Sequence, residues 1–346
     1  MKPRHFYQAI ASLVLATFAL LGVVLSEPTS AKPLYTLTEI SIPGATMTGA
    51  NDLNNKGELL GYGMLQGDTV SHTLLYSGDT IKDLGSMSVH WLNDSGQMAG
   101  ESDKNQGKFE HAILYSNEQI KDLGTLGGAR SNGTNINNKG EVVGVSYIQG
   151  DSIRHAFLYS AGVMRDIGTL GGTFASASDI NDSSQVVGYS KIRNDQAMRA
   201  FLYTNGKMRD IGTIGGSSSY ARAINNKGQI VGEAATKNNA GTHAFLYTNG
   251  KMRDLGSLTR ADSFATSINN KGQVVGYSRS DRPGSDRPFL YSDGKMRNLN
   301  DLIPANSNYE LVGSLAINDA GQILVNGSTK PQRESRAFLL TPVSAR

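Results

Sequence analysis

Short apolar runs recur along the chain at regular places, and they are continuous rather than alternating. AFLY at 200–203 and 244–247 and QVVG at 185–188 and 273–276 are examples. A continuously apolar run of this length, rich in β-branched and aromatic residues and bounded by Gly and Asn, predicts a strand covered on both faces. Between AFLY and the next run, KMRD, stand Asn205-Gly206, Asn249-Gly250 and Asp293-Gly294. Such pairs tolerate positive φ at both positions and are the strongest short hairpin signal. A preceding run, rich in Ala and Ser (FASASDIN, SFATSIN), predicts the strand nearest a crowded axis.

These runs belong to one repeated unit. Aligned on INNKGQVVG, its first Asn falls at Asn54, Asn93, Asn137, Asn181, Asn225, Asn269 and Asn318, with spacings of 39, 44, 44, 44, 44 and 49 residues. Periods of this size mark propellers and solenoids. Each unit reads as four strands, and four-stranded sheets stacked face to face around an axis cover both sides of each strand. The ends of the chain favour a closed ring. LTEISIPG at 37–44 aligns with MRDIGTLG at 164–171, so the chain opens with a spare fourth strand, while the last unit stops at RAFLLTP without one. The expected fold is therefore an all-β, seven-bladed β-propeller of four-stranded antiparallel blades. Its ring is closed by residues 35–40 pairing antiparallel with residues 336–341.

Composition changes this picture in three places. The 346 residues contain no Cys, which excludes disulfides, thiolate metal sites and a cysteine nucleophile. The net charge of +3 is too small for the dense basic face that nucleic acid requires, so no nucleic-acid partner is expected. Residues 1–31 read as an export signal: a basic start (MKPRH), an uncharged apolar run from Ala9 to Leu25, then small residues ending at Ala31. Cleavage is expected after Ala31, leaving 32–346 as a single propeller domain with no membrane insertion, located in the periplasm or secreted. The alternative is a retained membrane anchor, for which 17 apolar residues are slightly short.

The combination of HAF at His155 to Phe157 and His243 to Phe245 with GTLGG and INNKGQVVG resembles the HAF-repeat family of probable extracellular bacterial repeat proteins. The resemblance covers essentially the whole chain after the leader. It implies a place outside the cytoplasm, and it brings no established activity, cofactor or catalytic residue. Some units depart from the pattern, with HTL at His72, HAI at His111 and RPF at Arg287.

Candidate chemistry is sparse. His72, His111, His155 and His243 share one repeat position with Arg199, Arg287 and Arg336, so they sit on different units and are not expected to hold a metal. The series Asp83, Asp122, Asp166, Asp210 and Asp254 is expected to bond the turn beside each DLG rather than act as acid and base. The seven repeated Asn residues read as Asx turns, with an amide-lined ring or a calcium site as the alternatives. Trp91, the single tryptophan, is either filler beside a connection five residues shorter than most or a stacking platform in the channel. No nucleophile elbow, zinc-protease helix or phosphate loop occurs.

Length varies in one place only. From the repeated Asn to the Phe position of AFLY is 20 residues in every unit, whereas from there to the next Asn is 19, 24 or 29. The loop between the second and third strands changes almost completely in sequence. That loop and the connection to the next unit emerge on one face, where binding is expected. An anionic partner, either an acidic envelope polysaccharide or a protein, is expected there, with Arg154, Arg193 and Arg282 supplying the attraction and Trp91 marking the competing site in the channel. A non-catalytic binding or scaffold protein with no cofactor is thus the first reading. A propeller hydrolase or lyase acting on polysaccharide, and a purely structural envelope protein, are the alternatives.

Overall fold

The computed structural model describes residues 34–40, 45–65, 67–78, 80–103, 110–280, 286–330 and 335–343. The leader and its cleavage point lie outside the described residues, as does Arg282. Residues Pro33–Arg346 cluster as one unit. Its 28 strands are almost all antiparallel to their neighbours, and three short 3-10 turns are the only other regular elements among the described residues.

Within a unit the strands follow the sequence pattern. In the fifth unit, Gly215–Ile224, Ile230–Thr236, Thr242–Thr248 and Lys251–Gly256 pair in chain order. The turn between the last two is held by Asn249 at φ 51° and Gly250 at φ 78°, as the Asn-Gly signal requires. The Phe of each AFLY run, among them Phe157, Phe201, Phe245 and Phe289, is fully buried. Each packs between neighbouring units: Phe245 lies in one cluster with Val187, Ala200 and Leu202 of the preceding unit. Both faces of these strands are covered, which is why the runs do not alternate.

Ring closure occurs as the chain ends predict. Tyr35–Glu39 pairs antiparallel with the last strand, Ser335–Pro342, in the register Tyr35 to Pro342 through Glu39 to Phe338. Glu39 takes the place of the repeated Asp and meets Arg336 at 3.1 Å. The longest connection, 29 residues, is also explained. Its Leu299, Leu302 and Ile303 are buried with Tyr35, Phe338 and Leu340, and the Leu302 carbonyl accepts from the N–H groups of Leu34 and Tyr35. Extra length here serves the seam of the ring.

The sheet count differs from expectation. Five separate four-stranded sheets form, and an eight-stranded sheet stands where two were expected. It arises at the short link between Val163–Gly168 and Gly171–Ile180, where Phe174 forms a parallel bridge with Arg154. The Arg154 guanidinium lies 4.6 Å from the centre of the Phe174 ring, so a side-chain contact accompanies the backbone bridge.

Candidate functional site

The axial channel has two unlike ends. At the end reached by the turns after the first strands, the repeated Asn residues make a closed cycle of hydrogen bonds. Each Nδ2 donates to the backbone carbonyl of the next unit's Asn: Asn54 to Asn93, Asn93 to Asn137, Asn137 to Asn181, Asn181 to Asn225, Asn225 to Asn269, Asn269 to Asn318, and Asn318 back to Asn54. All seven distances lie between 2.9 and 3.1 Å. The Oδ1 of Asn225 accepts from the N–H of Lys227 and Gln229, which is the expected Asx turn. One buried amide thus stitches its own turn and the next unit.

A second cycle lies beside the first. The backbone N–H of Asn55, Asp94, Asn138, Asp182, Asn226, Asn270 and Asp319 each donates to the side-chain oxygen of the next residue in the ring. Both rings line a polar mouth of about 200 Å³. Among the described residues no group of three His, Asp or Glu is placed to hold a metal ion.

Just inside this mouth, Asp52 and Asp179 occupy the same repeat position. Asp52 accepts from the N–H of Leu53 and Leu92, and Asp179 from Ile180 and Ile224. Each carboxylate therefore holds its own strand with one oxygen and the first strand of the next unit with the other. Burial raises both above the usual carboxylate range, against the pull of those N–H groups, and Asp179 reaches about 7 with the Asp52 charge adding to the rise.

Further along the channel every first strand carries a β-bulge at the third residue before its Asn. The extra residues are Asn51, His90, Thr134, Ser178, Arg222, Thr266 and Leu315. A bulge re-aims a side chain that pairing would otherwise direct elsewhere, and all seven line one of two channel cavities. The Gly of QVVG belongs to this geometry: a Cβ on Gly188 or Gly232 would run into the carbonyl of Ser176 or Tyr220 across the bulge. Comparing identical repeat slots exposes the belt, because the slot three residues before the repeated Asn holds Asn, His, Thr, Ser, Arg, Thr and Leu. Sequence reasoning that sought variation only in loops missed it.

The two cavities measure about 430 and 440 Å³ and share Trp91. The first is walled by Trp91, Tyr189, Phe264 and Tyr277, with Arg222 and Glu233 between them. Arg222 Nε lies 3.0 Å from each Glu233 oxygen, and Nη2 bonds Oε1 as well. Its guanidinium also sits 5.7 Å from the ring centres of Tyr189 and Tyr220. Burial pushes Glu233 upward while Arg222 opposes that shift. In the second cavity, His90 bonds Asn51 at 3.1 Å and lies 3.6 Å from Glu101, whose Oε2 is buried without a hydrogen-bond partner among the described residues.

The residues singled out from sequence are dispersed. Trp91 lines both cavities and packs edge-on to His90, with ring centres 5.4 Å apart, while also resting on the cluster around Ala99 and Leu123. Arg154 is on the variable-loop side, over Phe174 and 5.6 Å from the centre of Tyr147, beside a groove of about 350 Å³ that also contains Arg130 and Glu110. Arg193 is exposed on the 3-10 turn Arg193–Asp195, and Arg282 lies outside the described residues. The His and Asp series pair with each other: His72 with Asp83, His111 with Asp122, His155 with Asp166 and His243 with Asp254. The same Asp residues accept from a Gly N–H two positions on, as at Gly168 and Gly256. Neither series converges on a site.

Comparison with known proteins supports the fold. The β-propeller domain of the Trilobed protease from Pyrococcus furiosus, described as having an open velcro topology, matches with a TM-score of 0.62 and 11% identity, over 87% of this chain and 94% of that one. An acylaminoacyl peptidase from Pyrococcus horikoshii matches at 0.57 with 13% identity over 88% of this chain, which spans about half (53%) of the peptidase. An oligogalacturonate lyase in complex with manganese matches at 0.53 with 12% identity, over 91% and 95%. At these identities the likeness shows an all-β propeller and nothing of activity. A sequence comparison with curated proteins finds no match. Residues 165–258 and 254–337, together half of the chain, match a family described as "Protein of unknown function (DUF3466)", and the chain belongs to that family.

Proposed function

We propose that the protein is an exported, non-catalytic binding propeller whose variable-loop face takes an anionic envelope polymer, an acidic polysaccharide or a protein. In this reading the eight-stranded sheet counts as two blades, giving seven in a closed ring. Export rests on the leader sequence and on the resemblance to HAF-repeat proteins. Among the described residues no helix is long and apolar enough to cross a membrane.

One observation carries the choice of face. The polar residues of these loops are tied to the start of their own first strand: Asp151 accepts from Ala129 N–H, Asp195 from Thr173, and Asn239 from Ser217. Thr173 and Lys191 hold Asp195 down to about 2. Acidic groups thereby act as anchors for a rigid loop, while Arg193 at its tip stays exposed. Loops held by a rigid scaffold are where binding usually resides.

Reversing Arg154, Arg193 and Arg282 to Glu should abolish capture of envelope material by the full chain, and capture by the unaltered protein should weaken as salt rises. Because Arg154 stacks on Phe174, its reversal should also cost about 0.5–1 kcal/mol of stability. Capture that survives the triple reversal sinks this reading.

The enzyme reading has one observation in its favour, the raised pair Asp52 and Asp179 in one channel layer. Both oxygens of each already accept a backbone N–H, which fits an inter-strand clip better than an acid and base.

A further inference from the structure

We propose that the bulge belt is a second recognition site, which takes the end of a neutral oligosaccharide entering the channel from the variable-loop side. The belt is built rather than incidental. Seven bulges spend seven ladder positions on aiming one side chain each into the channel, and bulges are kept where a side chain must be re-aimed. Five of the seven delivered residues, Asn51, His90, Thr134, Ser178 and Thr266, are polar without a fixed charge. The Thr134 and Thr266 hydroxyls donate to the Ala177 and Ser314 carbonyls of the next unit and keep lone pairs as acceptors, and Asn51 bonds His90.

The chemistry of the walls selects the ligand class. Trp91, Tyr189, Phe264 and Tyr277 offer flat apolar faces, suited to the C–H face of a sugar ring. The one Arg of the belt is matched by Glu233 in a forked pair, so it exerts no net pull on an anion. Glu101 adds negative charge and an acceptor oxygen that no described group satisfies, which calls for a donor such as a hydroxyl. An acidic sugar would find no uncompensated cation among the described wall residues, so the belt and the Arg-bearing loops select different things. Cavities of about 430 and 440 Å³ meeting at Trp91 fall in the usual range for small-ligand sites, roughly 300–1,000 Å³.

Trp91 is the only tryptophan, so intrinsic emission reports the belt directly. The full chain should be titrated with neutral di- and trisaccharides of glucose, galactose, mannose and N-acetylglucosamine, and with galacturonate and glucosamine oligomers as charged controls. At least one neutral saccharide should shift Trp91 emission saturably. The double substitution Arg222→Met with Glu233→Met should weaken that binding at least tenfold, and Ser178→Phe, which fills the chamber without touching the pair, should weaken it as much. Reversal of Arg154, Arg193 and Arg282 should leave the titration within twofold, which separates this site from loop-face capture. No response to any neutral saccharide at tens of millimolar overturns the proposal. So does tighter binding of either charged oligomer, or a response that both channel variants leave intact.

Discussion

The two ends of the channel are built on the same seven strands and treat sequence in opposite ways. At the polar mouth one amide is written seven times, and each copy is bonded to the next unit. Three residues earlier in the same strands, the bulge slot keeps its geometry and changes its residue almost every time. Repetition of a residue in a ring thus marks a bond that the ring needs. Variation at fixed geometry marks a slot that the ring does not bind to one residue type, although Thr134 and Thr266 still bond the next unit there, and recognition has the most room in such slots.

The severest way to break the comparison is to open the ring. Deleting residues 32–42 removes Tyr35 and Leu37 from the closing sheet while leaving the bond from Asn318 to Asn54 available. If the amide ring alone held closure, the loss would be small. Burial of a large apolar side chain is worth roughly 1.5–3 kcal/mol, and the edge of Ser335–Pro342 would be left bare. A melting temperature lower by about 10 °C, with aggregation, is expected. An unchanged cooperative melt would show that this strand does not close the ring.

Next in size is a direct contrast between the two kinds of slot. Asn225→Ala removes the acceptor for two N–H groups and the donor to Asn269, all at a site 4% exposed. It should cost about 3 kcal/mol, since each buried group left unpaired costs roughly 1–3. Ser178→Ala in the bulge belt should cost about 0.5 kcal/mol or less. Urea midpoints at constant m decide the matter. Equal costs would erase the distinction between scaffold and recognition slots.

This contrast also shows what the sequence made legible. Repeat number, the spare first strand and the Asn-Gly hairpins could be read because each is a local pattern or a count. The Asx turn at Asn225 was readable for the same reason, while the amide-lined ring stood only as an alternative to it. The Nδ2 bond to Asn269 joins residues 44 apart in different units, and no local pattern announces it. Bulges hide for another reason. A residue such as Thr134 or Ser178 looks outward-facing by alternation, and the slip that turns it inward leaves no mark on period-two reasoning. The fusion of two sheets at Arg154 and Phe174 depends on one bridge and was equally invisible.

A smaller effect tests whether the carboxylate clips belong with the scaffold. Asp179 is raised to about 7 in the fold, from 3.8 as an ordinary carboxylate. Between those values the unfolded chain has lost a proton that the folded chain keeps, so stability should fall as pH rises from about 4 to about 7. Asp179→Asn should flatten that slope. The fold already shows how an amide fits this slot, since Asn135 accepts from Ile136 N–H and its Nδ2 reaches the Ser178 carbonyl at 3.5 Å. Urea titrations of both proteins at a series of pH values provide the test. An unaltered slope in the variant would assign the titration elsewhere, and loss of folding would show that both oxygens are indispensable.

The smallest effects are expected at the outer edge, where repetition and variation meet in one pair. His155 Nδ1 stands 2.8 Å from Asp166 Oδ2, with side chains 21% and 44% exposed, and an exposed pair of this kind is worth about 0–1 kcal/mol. The corresponding pair in the next unit is Arg199 and Asp210 at 3.9 Å, so the slot already accepts either cation. His155→Arg should therefore change stability by less than about 0.5 kcal/mol. Asp166→Ala should cost more, about 1 kcal/mol, because it also removes the acceptor of the Gly168 N–H, where the backbone turns at φ 80°. The two midpoints, measured side by side, separate the partner that varies from the one that caps the turn. If the His substitution proved the costlier, the repeated imidazole would have a task beyond pairing, and the reading of HAF as a structural signature would fail.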